Sequence, residues 1–318
     1  MLQENSDFII QTKGLSKKFK RVQALDSLTL NVKRNSIFGF LGPNGAGKTT
    51  MIKLLLGLIT PSSGSATIFG KDIVKDSVAI RSRIGYLPQP PCFYEHMTAR
   101  QVLRYAIGFY IEGPKNAIEK RIDYTLDMIG LSDKADRRIK GFSGGELQRL
   151  GIGQAQIHNP DLLILDEPAA ALDPMGRRDV LKIMEELREH TTIFFSTHIL
   201  NDVQKIGDYV AIMNHGKLVS HGLMNDFING NGETVYSIRL KGNTEDAFTR
   251  ISKETWVSRI DVSLEGGETH WLVNVVDQKI AENKLLSLIL ANGNLQVTNW
   301  GKKTYELESV FMDIIEEE

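Results

Sequence analysis

The sequence predicts an α/β domain interrupted by a helical insert and followed by a small α+β domain of ferredoxin-like order. Three observations carry this expectation. Short β-rich apolar runs alternate with helical patterns from Phe8 to about Gly222. A mostly helical stretch, roughly 97–132, interrupts that alternation. After Gly222 the order becomes strand, helix, strand, strand, helix, strand.

SIFGFL, residues 36–41, reads as a short buried strand, and it runs into a glycine-rich turn. KTTMIKLLLGLI follows, with Ile52, Leu55, Leu56 and Ile59 on one helical face. DLLILDEP (161–168) is a second buried strand and TTIFFSTH (191–198) a third. In the C-terminal part, Tyr236, Ile238 and Leu240 share one strand face, and a helix follows at about 244–253. Two more strands carry Ile260, Val262, Leu264 and then Trp271, Val273, Val275. A helix over 278–291 and a strand around Leu295–Val297 complete the pattern. A last helix would put Leu307, Val310, Phe311, Ile314 and Ile315 on one stripe. NGNGE (229–233) has the turn residues of a linker, so the expected domains are 8–228 and 229–318. The sequence contains no internal repeat and no low-complexity segment.

A length of 318 residues suits about two domains, and 42% hydrophobic with 24% charged residues is ordinary globular composition. The net charge of -1 supplies no overall attraction to nucleic acid or to an anionic membrane. The single cysteine, Cys92, excludes an internal disulfide and a multi-cysteine metal site. The N-terminal MLQENSDFII is acidic and lacks the apolar centre of a signal peptide. The longest apolar stretches, such as MIKLLLGLI, are too short to span a bilayer. A role in transport would therefore require a separate membrane-spanning chain.

Gly42-Pro43-Asn44-Gly45-Ala46-Gly47-Lys48-Thr49 matches the phosphate-loop pattern G-x-x-x-x-G-K-[ST], between a strand and a helix as that pattern requires. Glycines let backbone N–H groups turn inward around phosphate oxygens, and the helix N-terminus adds partial positive charge. Lys48 is expected on the β- and γ-phosphates and Thr49 on Mg²⁺, with Thr50 beside them. Leu162-Leu-Ile-Leu-Asp166-Glu167 has the form of a Walker B strand. Its apolar residues bury the strand and deliver Asp166 to the end, where it can hold Mg²⁺ through water. Glu167 would then orient and polarise the attacking water.

Ser143-Gly144-Gly145-Glu146-Leu-Gln-Arg149, shortly before that strand, resembles the signature of the ATP-binding cassette (ABC) family. The resemblance runs almost continuously from Phe8 to Gly222 and implies a P-loop NTPase cassette. It implies that Gln89, in GYLPQ, is the Q-loop glutamine that senses Mg²⁺ and touches the membrane partner. Ala170-Ala-Leu-Asp173 matches the D-loop, and His198 the switch histidine that contacts the γ-phosphate. Phe19 stands where the family places an aromatic that stacks on adenine, usually a tyrosine. The sequence also departs from the family pattern. Glu146 replaces the commoner glutamine, which would add negative charge near bound phosphate, while Ala169 and Ala170 replace threonine and serine.

The resemblance further implies that two cassettes meet head to tail, each ATP held between one chain's phosphate loop and the other's Ser143 region. The expected partners are a second copy of the chain and a membrane-spanning permease touching the helical insert; nucleic acid is not expected. ATP and Mg²⁺ are the implied cofactors, and the implied location is the cytoplasm, peripheral on the inner membrane face. A single cassette with a small C-terminal domain, ending in a motif like Leu307-Glu-Ser-Val-Phe-Met-Asp-Ile, is similar to export-type systems. A soluble ABC ATPase of DNA repair or translation is the first rival. No heptad run separates Lys48 from Ser143, and there is one cassette rather than two. An accessory ATPase of iron–sulfur assembly fits the C-terminal domain poorly. The second rival, a non-catalytic module, is at odds with intact Lys48, Glu167 and His198.

Overall fold

The computed structural model describes residues 7–229, 234–291, 293 and 295–302. The chain divides into two compact units, Met1–Leu223 and Met224–Glu318.

The first unit opens on a long antiparallel pair, β1 (Phe8–Phe19) and β2 (Val22–Lys33). Next come β3 (Ile37–Leu41), helix α1 (Lys48–Leu55), β4 (Ser63–Ile68), β5 (Lys71–Asp72), α2 (Ser77–Arg81) and β6 (Ile84–Leu87). Helices α3 (Ala99–Ile107) and α4 (Lys115–Met128) occupy the predicted insert, and α5 (Gly144–Gln156) packs against both. β7 (Leu162–Asp166), α6 (Pro174–Leu187), β8 (Thr192–Thr197), α7 (Leu200–Ile206), β9 (Tyr209–Asn214) and β10 (Lys217–Leu223) complete the unit.

These strands form two sheets. One is antiparallel, in the order β2-β1-β4-β5; the other runs β10-β9-β3-β8-β7-β6. In the second sheet β9, β3, β8, β7 and β6 are parallel, and β10 adds an antiparallel edge. Every residue of β3, β7 and β8 is buried. That is why they read as unbroken apolar runs rather than as alternating ones. Phe38 stacks on Phe194 at 5.7 Å between centroids and continues into a core with Met51, Ile52 and Leu55 of α1. Each such fully buried side chain contributes about 1.5–3 kcal/mol.

The register places the site. Leu41 of β3 faces Thr197 of β8, and Ser196 faces Asp166 of β7. Three strands therefore end level, and the segments that leave them start side by side. In open α/β sheets ligands bind outside the carboxyl ends of the strands.

Helix α1 ends at Leu55, short of the predicted reach to Ile59, because Gly57 takes a left-handed φ of 63°. Ile52, Leu55 and Leu56 are buried as expected, while Ile59 lies beyond the helix and is half-buried. The antiparallel sheet built on β1 and β2 was not part of the sequence expectation.

In the second unit α8 (Met224–Asn229) precedes β11 (Thr234–Lys241), α9 (Glu245–Ile251), β12 (Val257–Glu265), β13 (Glu268–Val275), α10 (Gln278–Leu290) and β14 (Gln296–Lys302). The sheet order is β12-β13-β11-β14, which together with this element order gives the ferredoxin-like topology. Tyr236, Ile238, Leu240, Trp271, Val273 and Val275 are buried against Ala247, Ile251, Ala281, Leu285 and Ile289 of the two helices. The predicted face of β12 differs: Val262 and Leu264 are exposed, since β12 lies at the sheet edge. The predicted helix carrying Leu307 to Ile315 lies outside the described residues, as does most of the predicted linker.

Candidate nucleotide site

The loop 42–47 leaves β3 with the Gly42 N–H donating to the Thr197 carbonyl at 3.2 Å. Gly47 caps α1 with φ 107°, and a Cβ there would stand 2.5 Å from the Ala24 carbonyl, so only glycine fits. Pro43, Asn44 and Gly45 are exposed on the loop, while Gly42 and Ala46 are buried. Thr50 is half-buried on α1. Lys48 is buried, and its Nζ donates to the carbonyls of Gly42 at 2.6 Å and Pro43 at 3.2 Å.

Walker B acids converge on this loop. Thr49 Oγ1 donates to Asp166 Oδ2 at 3.1 Å, and Ser196 Oγ donates to Asp166 Oδ1 at 2.5 Å. The Glu167 N–H donates in turn to Ser196 Oγ at 3.0 Å. Glu167 adopts φ 50°, a left-handed backbone uncommon outside glycine, and its carboxylate is buried. Its Oε2 lies 2.9 Å from His198 Nδ1, and its Oε1 lies 3.2 Å from Lys48 Nζ. The second contact is an ion pair off the hydrogen-bonding line, since Oε1 has no aligned donor. A buried carboxylate is tolerable only when paired in this way. Tyr86 lies close enough to this site that burial, and then the Asp166 charge, push its phenol above the ordinary value.

Thr49 and Asp166 supply adjacent hard oxygen ligands, the donor chemistry Mg²⁺ prefers. Among the described residues no cluster of three or more His, Cys, Asp or Glu side chains could hold a metal alone, which suits an ion that takes its other ligands from phosphates and water. Gln89, expected beside them, is exposed beyond β6 and makes no hydrogen bond to Thr49 or Asp166.

Ser143 is the N-cap of α5 in a full capping box: its Oγ accepts from the Glu146 N–H, and its N–H donates to Glu146 Oε2 at 2.7 Å. Gly144 and Gly145 follow, and a Cβ on Gly144 would meet nothing within 4 Å. Asp173 caps α6, accepting from the Gly176 N–H at 2.7 Å. The two caps are neighbours, since a Cβ on Gly145 would lie 3.9 Å from the Gly176 Cα. No hydrogen bond or ion pair joins residues 143–146 to Lys48, Asp166, Glu167 or His198 of the same chain. Phe19 is 45% exposed at the end of β1, with Lys17 Nζ 5.0 Å from its ring centroid.

Sequence reasoning missed Ser196, whose hydroxyl ties Asp166 to Glu167, although a hydroxyl inside the run TIFFST was a visible signal. It also missed the Arg177–Asp202 pair at 2.5 Å, which joins the first turns of α6 and α7. Separately, a cavity of about 310 Å³ opens between the helical insert and β6, lined by Leu58, Tyr105, Phe109, Tyr110 and His158. Tyr110 stacks on His158 at 3.7 Å.

Comparison with known proteins bears on this geometry. The family model described as ABC transporter matches residues 25–170. The ABC transporter ATP-binding protein YxlF of Bacillus subtilis (strain 168) is 35% identical over 96% of this chain and 99% of its own length. The chain belongs to the ABC transporter ATP-binding proteins. As a cassette it is similar to the daunorubicin/doxorubicin resistance ATP-binding protein DrrA of Streptomyces peucetius, 31% identical over 95% of this chain and 91% of that one. The dimeric structure of MJ0796, a bacterial ABC transporter cassette, superposes with TM-score 0.63 at 25% identity, covering 68% of this chain and 98% of that one. The cassette is an ATP-hydrolysing subunit with an α/β P-loop NTPase fold. No helix among the described residues is long and apolar enough to cross a membrane.

Proposed function

We propose that this cassette drives export through a separate membrane-spanning permease, by ATP-dependent closure of two cassettes. The observation that carries the reading is the convergence of Lys48, Thr49, Asp166, Glu167 and His198 on three level strand ends, with the Ser143 cap left out of it. Backbone N–H groups of residues 44–49 and the Lys48 ammonium receive the phosphates. Phe19 stacks on the adenine, its exposed ring being free to do so. Thr49 and Asp166 would hold Mg²⁺, with Gln89 sensing it, and the ion would supply charge neutralisation at the phosphates. Glu167 accepts the proton of the attacking water, and His198 holds the Glu167 carboxylate in place and reaches the γ-phosphate.

The Ser143 hydroxyl and the Gly144 and Gly145 N–H groups face outward and meet ATP bound to a second copy, with Asp173 beside them at the seam. The dimeric cassette to which the chain is similar supports this arrangement. Export is supported by the alignment with DrrA, which spans both units of the chain. The aromatic groove at Tyr105, Phe109 and Tyr110 is the surface on which the permease rests, placing the cassette on the inner membrane face. The C-terminal unit offers no catalytic cluster among its described residues and serves packing or dimer support.

The test uses Lys48→Ala and Ser143→Arg, each inactive alone. In a mixed dimer one composite site carries both lesions and the other carries none. The expected result is about one trapped nucleotide per mixed dimer. Differently tagged chains that pair yet trap no ATP would overturn the shared site.

A further inference from the structure

Glu146, the fourth residue of the signature segment, carries a negative charge where the partner's ATP phosphates are to arrive. The structure shows what becomes of that charge. Glu146 is only 8% exposed, and its two oxygens have separate partners. Oε2 accepts from the Ser143 N–H at 2.7 Å, closing the capping box. Oε1 lies 2.7 Å from Nζ of Lys134, at the end of the short 3-10 turn Ser132–Lys134 that follows α4. Burial pushes the Glu146 carboxyl up, but Lys134 and the Ser143 N–H outweigh it and hold the group below its ordinary value.

We propose that Lys134 is a positioning residue for the signature: it neutralises Glu146 and turns its carboxylate onto the Ser143 N–H, away from the partner's nucleotide. This rests on the shared-site reading above. Ser143 Oγ accepts from the Glu146 N–H at 3.3 Å, so its own proton stays free to donate. The donors left for an incoming phosphate are then the Ser143 hydroxyl and the N–H groups of Gly144 and Gly145. Without Lys134 the carboxylate would have a single N–H partner, and its uncompensated charge would oppose phosphate approaching the N-terminus of α5. A glutamine needs no counter-ion there, whereas the Glu146 carboxylate has one in Lys134.

The dependence separates electrostatics from mere packing. Steady-state hydrolysis by the full chain is measured for Lys134→Ala, Glu146→Gln and the double variant. With Glu146 present, Lys134→Ala should raise KM for MgATP about tenfold, the size of one lost charge-assisted bond, with kcat at saturation changed less. In the Glu146→Gln background the same substitution should change KM less than about twofold. Lys134→Arg should recover most of the loss, and the Lys134→Ala defect should shrink as salt rises. An unchanged KM in the Glu146 background, or an equal defect in both backgrounds, overturns the proposal. Ser143→Arg is run in parallel with thermal unfolding of every variant. If Ser143→Arg hydrolyses ATP normally, the shared-site reading itself fails, an outcome distinct from failure of the Lys134 role.

Discussion

Glu167→Gln keeps the size of the side chain and removes its charge and its basicity. In the structure that carboxylate stands 3.2 Å from Lys48 Nζ and 2.9 Å from His198 Nδ1. Two effects of opposite sign follow. An amide cannot take a proton from water, so turnover should fall by about 10²–10⁴. Nucleotide affinity should move the other way, because Glu167 competes with phosphate for Lys48. At 3.2 Å and an effective dielectric of about 20 the gross attraction is about 5 kcal/mol. Most of it is offset, because the Gly42 and Pro43 carbonyls also hold Nζ and incoming phosphate supplies a replacement charge. A net gain of about 1 kcal/mol, or about fivefold tighter ATP binding, is expected. Phosphate release measures the first effect and a titration with ATP the second. Phosphate release within tenfold of wild type would remove Glu167 from its role. Weaker ATP binding in a folded variant would show that the Lys48–Glu167 contact is not a competitor of the nucleotide.

Phe19→Ala should weaken ATP binding by about 1–3 kcal/mol with little change in saturated turnover, and unchanged affinity would make Phe19 a surface residue only. His158 gives a pH dependence: burial above all, with Arg121 adding, lowers its pKa from 6.5 to about 4, while the Ile84 main chain pulls the other way without an aligned hydrogen bond. Between those values the unfolded chain binds more protons than the folded one, so stability is full above 6.5 and declines as pH falls toward about 4. His158→Phe, which preserves an aromatic stack on Tyr110, should flatten that decline; urea midpoints at about pH 5 and about pH 7 that shift equally would exclude His158 as the proton acceptor.

What was legible in the sequence is what a contiguous stretch must do by itself. Gly47-Lys48-Thr49 needs a left-handed glycine immediately before a helix, and the structure has it. Asp166 and Glu167 were readable because the strand that delivers them is buried on both faces. Alternation in β11 and β13 marked a buried face correctly, but the same alternation in β12 could not reveal that Val262 and Leu264 sit at an edge. Contacts between distant segments left no local trace. The β1–β2 sheet, the Ser196 bridge and the Arg177–Asp202 pair all depend on which strands and helices become neighbours. Glu146 shows the limit most directly: its charge was read as lying near phosphate. The S-x-x-E spacing from Ser143 was a local signal of the cap, but the pairing with Lys134 joins separate segments and left no such signal.

Gly39 lies in the middle of β3 and touches nothing that reacts. An added Cβ there would stand 2.3 Å from Cγ1 of Val203 in α7. The missing methyl is thus the spacer that sets how closely α7 lies on the sheet, and α7 begins two residues after His198. Interiors packed to crystal density cannot absorb such an intrusion locally. A methyl at position 39 would lift the helix, and the displacement would surface at the histidine. The seat of α7, and with it the position of the histidine before it, is in this sense set from inside the sheet by a side chain that is absent. Trimming Val203 to alanine is the change that would give that methyl its room.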